Sequence, residues 1–571
     1  MRTLAKTFYL QLAWSNITRN RRTYLPHILA TAIISGVYLL IQGLLYSDSL
    51  NNLPTGKTAA MIFSFGLVVY ALFAFFFMTY INNLLIRRRK REFGLYAILG
   101  LEKRHIARVL FWENLITLTI GLLGGIVIAL VFGQLIFMLL LKIIRAVPGS
   151  TFSIAPTAYI GMLALFFVIF LVTSLINLWQ VRLSNPIQLM QSQKRGEKDS
   201  KLMIPLAIFG VLALATAYYF AWTIESPGIA LGVFFLLAIL VILATHALFS
   251  CGSIVLLRLL KKNKKFYYRQ ENFIALGGLV QRMKQNARSL AMICVLSCML
   301  IVSVSGTLSL YLGQEDMLAG MYPYDVEYST REDLTEEQAR QVEKEIIAIA
   351  QTDHVTLSAD PAKLVYELEE GEQFTRNNFV YSDEKVTQLT QVLYVGSNFL
   401  FDADGEFEDC LKFIDDLREF SLAEYNGYSV WDIFTAREDG YGTYGGLLFL
   451  GAFFGILFLA VTVLIIYFKQ ISEGYEDREQ YVILQKVGMD DKQVRATIDR
   501  QVLFVFFVPL VTTVLHMIFA SKIIARMLMT FMLYDWVLVL SCIGGVLLLF
   551  ALMYLVVYRL TAKVYYRIVK W

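Results

Sequence analysis

Ten stretches of about twenty or more predominantly apolar residues constrain this chain more than any other feature. A helix of that length crosses the hydrocarbon of a bilayer, and helices satisfy their own backbone hydrogen bonds there. The stretches are 24–45, 59–86, 106–141, 158–178, 203–222, 228–257, 290–312, 446–468, 502–524 and 536–558. The third is too long for one straight crossing, so its first turns are expected outside the hydrocarbon. The fifth and sixth are separated by residues 223–227, a tight turn at Pro227-Gly228. The composition agrees: 57% of the residues are hydrophobic and 17% charged, where a soluble domain has about 45–50% and about 25%. Disorder, collagen and a disulfide scaffold are excluded. The five cysteines are scattered, with no bridge framework or metal-ligand spacing, so no metal is expected. No small-residue cleavage site follows the first apolar run, which is long enough to span, so it reads as a membrane helix and not a cleaved leader.

Basic residues set the expected orientation. Residues 87–91 with Lys103 and Arg104, then Arg182, Lys194, Arg195 and Lys198, then Arg258, Lys261, Lys262, Lys264, Lys265 and Arg269 fall in alternate loops. The positive-inside rule makes these loops cytoplasmic. With ten spans both termini are then cytoplasmic, in agreement with Arg19, Arg21, Arg22, Arg559, Lys563, Arg567 and Lys570. One large segment is left outside. Residues 311–444 hold 30 Asp/Glu against 9 Lys/Arg, a formal charge of −21, so the modest +5 of the whole chain conceals +26 elsewhere. The segment is long enough for a domain. It has a helix-like stretch at 335–350, β-like stretches at 364–368 and 391–395, and a small apolar set: Ile346, Ile347, Leu364, Val365, Phe379, Leu393 and Tyr394.

The chain also repeats itself. After the second span it reads Arg91-Glu92-Phe93-Gly94-Leu95-Tyr96-Ala97-Ile98-Leu99-Gly100-Leu101, and after the eighth Arg478-Glu479-Gln480-Tyr481-Val482-Ile483-Leu484-Gln485-Lys486-Val487-Gly488-Met489. Thirteen residues past each glycine stands a polar group, Glu113 and Gln501. A weaker echo, Asn20-Arg21-Arg22-Thr23 and Asn286-Ala287-Arg288-Ser289, precedes the first and seventh spans. Spans one to four and seven to ten thus read as two parallel four-helix copies about an axis along the membrane normal, with spans five and six joining them. The fold class expected is an all-α polytopic membrane protein with one α+β extracellular domain between helices seven and eight. Its segments are 1–186, 187–260, 261–310, 311–444 and 445–571.

The pattern Arg-Glu-x-Gly-x-x-x-x-Leu-Gly, set among basic residues, resembles the FtsX-like family of ABC transporter permeases. With ten spans, Asn185-Pro186-Ile187-Gln188-Leu189-Met190 after span four and a Tyr565-Tyr566-Arg567-Ile568-Val569-Lys570 ending, the chain resembles the bacitracin-export type of Gram-positive bacteria. The resemblance implies a separate ABC ATPase subunit in two copies, which binds ATP and Mg, and a membrane histidine kinase as a further partner. It implies resistance to wall-active peptide antibiotics such as bacitracin, lantibiotics or defensins, by freeing a lipid-linked wall precursor from the bound peptide. Residues 311–444 are fewer than is usual for the bacitracin type, which leaves the ligand open.

A permease driven by a soluble ATPase needs short helices that receive its motion. Residues 92–101 and 479–489 fit: Arg88, Arg91, Glu92, Gly94 and Gly100 in the first copy, Arg478, Glu479 and Gly488 in the second. Gly100 and Gly488 suit left-handed helix ends. Glu92 and Glu479 read as lying near helix starts, where the dipole favours an anion. Arg88, Arg91 and Arg478 suit acidic groups on the ATPase. Taken alone, residues 87–91 read as an ordinary basic loop; their recurrence in both halves argues for coupling.

Other motifs weigh less. Glu113 is ionisable within a span, but it stands about two turns from the basic end, where a partner in the basic loop would satisfy it. His246 and His516 read as packed histidines. Gly56-Lys57-Thr58 lacks the glycine a phosphate loop requires five residues earlier, where Asn51 stands, so ATP hydrolysis is expected on the partner and no cofactor in this chain. Asp402-Ala403-Asp404-Gly405-Glu406 has the wrong donor spacing for calcium and reads as an acidic turn. The −21 surface suits cationic ligands, peptides among them, and no nucleic acid. Gly121, Gly124 and Gly125 in span three, and Gly451 and Gly455 in span eight, give close-packing faces. A regulatory transmembrane scaffold that drives an extracellular wall hydrolase is the alternative reading. An ion-coupled transporter is disfavoured, since few ionisable groups lie near mid-membrane.

Overall fold

The computed structural model describes residues 2–47, 50, 54–146, 151–183, 203–262, 270–322, 324–330, 334–359, 375–376, 379–380, 398–423, 427–486 and 491–569. Two compact units emerge. One comprises Met1–Ser309, Gly446–Thr530 and Trp536–Trp571; the other comprises Leu310–Gly445 with Phe531–Asp535.

The first unit is helical. It holds α1 (Arg2–Arg19), α2 (Arg21–Leu45), α3 (Pro54–Ile98), α4 (Lys103–Ile143), α5 (Pro156–Leu183), α6 (Met203–Thr223), α7 (Pro227–Ala247) and α8 (Ser253–Lys262). A π turn, Leu248–Gly252, joins the last two. Then come α9 (Gln270–Leu312), whose last turn belongs to the second unit; α13 (Ile433–Lys486), whose residues up to Gly445 also belong to it; α14 (Asp491–Leu528); and α15 (Trp536–Val569). Among the described residues ten helices are long and apolar enough to cross a membrane. Their windows fall on the ten stretches read from the sequence.

Small residues set how closely these helices approach. A β-carbon on Gly121 would lie 2.6 Å from Thr31, and one on Gly125 would run into Ser35 and come within 2.8 Å of the Gly36 backbone nitrogen. The glycines of α4 therefore form the seam on which α2 packs, where backbones meet without side chains between them. Between α6 and α7, alanines do the same work: Ala213, Ala217 and Ala221 face Ala230 and Ala244. Pro227 sits at the start of α7, where its missing N–H costs nothing. This pair is pinned to α14 by His516, which bonds Tyr218 Oη through Nδ1 at 2.6 Å and Thr245 Oγ1 through Nε2 at 3.0 Å. The Tyr218 and Phe519 rings stack at 3.9 Å.

Aromatic rings join α3 to α13. Phe63 meets Phe449, Tyr70 meets Phe454 and Phe73 meets Phe458, at centroid separations of 5.7, 5.8 and 5.1 Å. The partners advance together along both helices, so α3 and α13 run parallel.

The second unit contains α10 (Gln314–Met321), β1 (Val326–Thr330), α11 (Glu336–Thr352), β2 (Thr356–Ala359), β3 (Thr375–Arg376), β4 (Phe379–Val380), β5 (Asn398–Asp404), α12 (Phe407–Ala423) and β6 (Gly427–Asp432). Four strands form an antiparallel sheet in the order β2-β5-β1-β6, and β3 pairs with β4. Alternation builds the core: Val326 and Tyr328 of β1 and Phe399 and Phe401 of β5 face Val342 and Ile346 of α11 and Phe413, Ile414 and Leu417 of α12. A capping box starts α11, with Thr335 Oγ1 accepting from the Gln338 N–H and the Gln338 side chain accepting from the Thr335 N–H.

The expected β-like stretches 364–368 and 391–395 lie outside the described residues. The acidic segment 402–406 differs from expectation. Asp402, Ala403 and Asp404 are the end of β5, paired with β2, and only Gly405 and Glu406 turn. The acidic residues alternate with Phe401 and Ala403, so they ride the outer face of a strand.

Candidate functional site

The two segments proposed to receive motion are not separate short helices. Span two and residues 92–98 form one helix, α3, of 45 residues, and span eight runs through Arg478 and Glu479 to Lys486 in α13, of 54 residues. Nothing between residues 83 and 98 breaks the helix; Gly94 is buried inside it. Glu92 therefore stands far from the start of its helix, and the dipole argument for it and for Glu479 does not apply. Gly100 ends α3 at φ +90° with nothing within 4 Å of its missing side chain. The Leu101 N–H bonds the Tyr96 carbonyl at 3.0 Å, five residues back, which is the Schellman closure a left-handed glycine permits.

Inside this end lies an ion pair that the basic run concealed. Arg89 is 2% exposed and Glu113 also 2%. The Arg89 guanidinium donates from Nη1 to Glu113 Oε2 and lies against the Tyr24 hydroxyl, and its Nε donates to Glu92 Oε2 at 2.7 Å. Glu113 also accepts from Asn16 Nδ2 at 2.7 Å and from Tyr24 Oη at 2.9 Å. Asn20 Nδ2 donates to Glu92 at 3.1 Å, and Tyr96 Oη donates to the Asn16 amide oxygen at 3.1 Å. The guanidinium packs over Phe93, 5.2 Å from the ring centre. Burial alone would lower the pKa of Arg89; Glu113, Tyr24 and Glu92 outweigh it and hold the guanidinium above its ordinary value.

One network thus ties α1, α2, α3 and α4 together just before the Gly100 turn. Glu113 has the partner in the basic run that the sequence required of it. The partner is Arg89, which was not singled out. A signal existed: Ile81, Leu85, Arg89 and Phe93 recur every four residues, so Arg89 falls on the buried stripe of α3. Of the residues singled out, Glu92 joins the network. The side chains of Arg88, Arg91 and Glu479 and all of Gly488 lie outside the described residues, and Arg478 is exposed. Beyond the brace, α3 presents Leu95, Ile98 and Leu99, which are 51%, 62% and 71% exposed. The tip is aliphatic where charge was expected. In the other half, Gly474 of α13 closes on Ile568 and Tyr565 of α15, at 3.3 and 3.4 Å from a β-carbon built on it, and Tyr565 is fully buried.

A family model, FtsX-like permease C-terminal, matches this chain twice, over residues 61–186 and 452–565. The two matches begin in α3 and α13, the helices that pack in parallel. The chain thus carries two segments of the FtsX-like permease type. This permease is 25% identical to the ABC transporter permease protein YxdM of Bacillus subtilis, over 90% of this chain and 93% of that protein. It is 23% identical to the bacitracin export permease protein BceB of the same organism, over 92% of this chain and 96% of BceB. The uncharacterized ABC transporter permease YvcS of B. subtilis is 22% identical, over 90% and 93%. These similarities, with ten helices among the described residues long and apolar enough to cross a membrane, support a permease role.

Proposed function

We propose that this permease works with a separate ATPase, in two copies, to protect the cell against wall-targeting peptide antibiotics, by freeing lipid-linked wall precursors from the bound peptide. The observation that carries the reading is the end of α3: a long helix, braced by a buried ion pair, whose exposed aliphatic tip Leu95, Ile98 and Leu99 stops at a fixed glycine turn. A rigid helix with an apolar tip is what a soluble motor needs to push on. Similarity to the bacitracin export permeases supports the antibiotic part. In this reading the Gly100 end faces the cytoplasm with both termini, and the acidic unit faces outward, where its charge draws cationic peptides to it. The two matched segments act as a pair of parallel halves, and a membrane histidine kinase is the further partner.

The test is the double substitution Ile98→Asp with Leu99→Asp. Both side chains are exposed, so folding is expected to survive, while ATPase co-purification and resistance to bacitracin are lost together. Retention of both would refute the coupling role of this tip. Loss of the ATPase with unchanged peptide susceptibility and defective wall remodelling would replace antibiotic protection with the hydrolase-regulating scaffold.

A further inference from the structure

At their basic ends α4 and α5 enclose a cavity of about 500 Å3. Lys103, Arg104 and Arg108 line it together with Phe111, Trp112 and Leu178. From Lys103 to Trp112 the helix advances about 13 Å at about 1.5 Å per residue. Over that length the lining passes from three cations to aromatic and aliphatic side chains. The polar groups further in are already engaged. The Asn177 amide exchanges hydrogen bonds of 2.7 and 3.2 Å with Asn82, and Ser174 Oγ accepts from Asn114 at 2.9 Å. The two arginines are held loosely. Arg104 pairs with Glu102 at 2.5 Å, but the two side chains are 69% and 57% exposed, and such a surface pair contributes little. The Arg108 guanidinium lies 5.8 Å from the centre of the Tyr9 ring, a contact that uses its face and none of its N–H donors.

We propose that this cavity binds an anionic phospholipid of the adjoining leaflet. Its phosphate sits among Lys103, Arg104 and Arg108, and the start of its acyl chain lies on Phe111, Trp112 and Leu178. A free phosphate would use the cations and leave the apolar depth empty, and so would a carboxylate side chain of a soluble partner. Only an amphiphile matches both ends, and the cavity lies at the basic ends of two helices long and apolar enough to cross a membrane, where the positive-inside rule expects headgroups. The site is separate from the α3 tip and independent of which antibiotic, if any, the permease handles. Because α4 begins three residues after Gly100, the lipid would steady the turn that follows the tip.

The test uses the purified full-length permease in nanodiscs of equal phosphatidylglycerol and phosphatidylcholine, with chain-matched lipids, extracted and read by native mass spectrometry. Phosphatidylglycerol is expected to be retained in preference. At about fivefold per cation, Arg104→Gln with Arg108→Gln lowers that retention about thirtyfold. Arg258→Gln, in α8, leaves it unchanged, and Glu102→Gln raises it. Equal retention of the two lipids, or undiminished retention in the double variant, overturns the proposal. Displacement of the lipid by millimolar glycerol phosphate assigns the cations to a soluble phosphate and also overturns it. Should the double variant fail to fold, dibrominated phosphatidylglycerol provides a second reading: it quenches tryptophan fluorescence less in Trp112→Phe than in the parent. Equal quenching in the two overturns the proposal.

Discussion

Removing one member of the Arg89–Glu113 pair is expected to cost far more than removing both. The two side chains are buried at 2% and 3% exposure, so neither charge left alone recovers water. Deleting one partner of a buried pair costs about 3–5 kcal/mol, whereas replacing both with apolar residues of similar size is often neutral. The structure ranks the single losses. With Arg89→Ala, Glu113 keeps its donors Asn16 and Tyr24, which places the loss near the lower bound. With Glu113→Ala, the guanidinium cannot neutralise itself and keeps only Glu92, which is 37% exposed, as a carboxylate partner, so the loss lies near the upper bound. Thermal unfolding of the detergent-solubilised permease, followed by fluorescence-detected gel filtration, measures the cycle. At about 2 °C per kcal/mol the single variants fall by roughly 6–10 °C, while Arg89→Met with Glu113→Leu returns to within about 3 °C of the parent on the same conversion. If the double variant instead falls by the sum of the single losses, the brace is not a coupled unit and the argument fails.

Three further outcomes follow from packing and hydrogen bonding. Gly125→Val drives a branched side chain into Ser35 and the Gly36 backbone, so the α2–α4 seam opens; membrane-inserted yield and melting temperature both drop, whereas Gly228→Val, with open space around it, changes neither. His516→Phe strands the half-buried Tyr218 hydroxyl, while Thr245 keeps its bond to the Val241 carbonyl, at a cost of about 1–3 kcal/mol; the same thermal assay reads the loss, which Tyr218→Phe relieves. Asp432 is buried, which raises its pKa against the opposing pull of the Thr435 N–H and Arg418. A carboxyl raised on folding takes up a proton, so its share of stability is present below the unfolded pKa near 4 and fades as pH rises through the folded value. Asp432→Asn should flatten that part of the pH profile of unfolding, and an unchanged profile would exclude Asp432 as its source.

The ten spans were legible because length and apolarity are dictated by bilayer thickness, which no tertiary contact overrides. Gly100 was legible for a similar reason: a glycine after an amphipathic stretch has few uses other than a left-handed end. Arg89 was not, because five adjacent cations look alike until the four-residue stripe through Ile81, Leu85 and Phe93 is imposed on them. Glu92 was read as a helix start because charge clusters commonly flank spans. Here the helix simply continues past the cluster, with Glu92 paired sideways to Arg89 and hydrogen-bonded by Asn20 and not held by the dipole. The aliphatic tip was overlooked because Leu95, Ile98 and Leu99 are indistinguishable in sequence from core residues; only the end of the neighbouring packing leaves them bare.

The aromatic seam between α3 and α13 has a mechanical corollary. From Phe73 to Ile98, α3 extends without a break for about 38 Å at about 1.5 Å per residue. A stiff arm of that length amplifies. A 5° change in crossing angle at the rings displaces its far end by about 3 Å on this geometry, and α13 carries a comparable arm from Phe458 to Lys486. The tilted and edge-on rings would therefore act as a fulcrum shared by two levers: adjustments small enough to keep every ring in contact at the pivot become ångström-scale strokes at the ends.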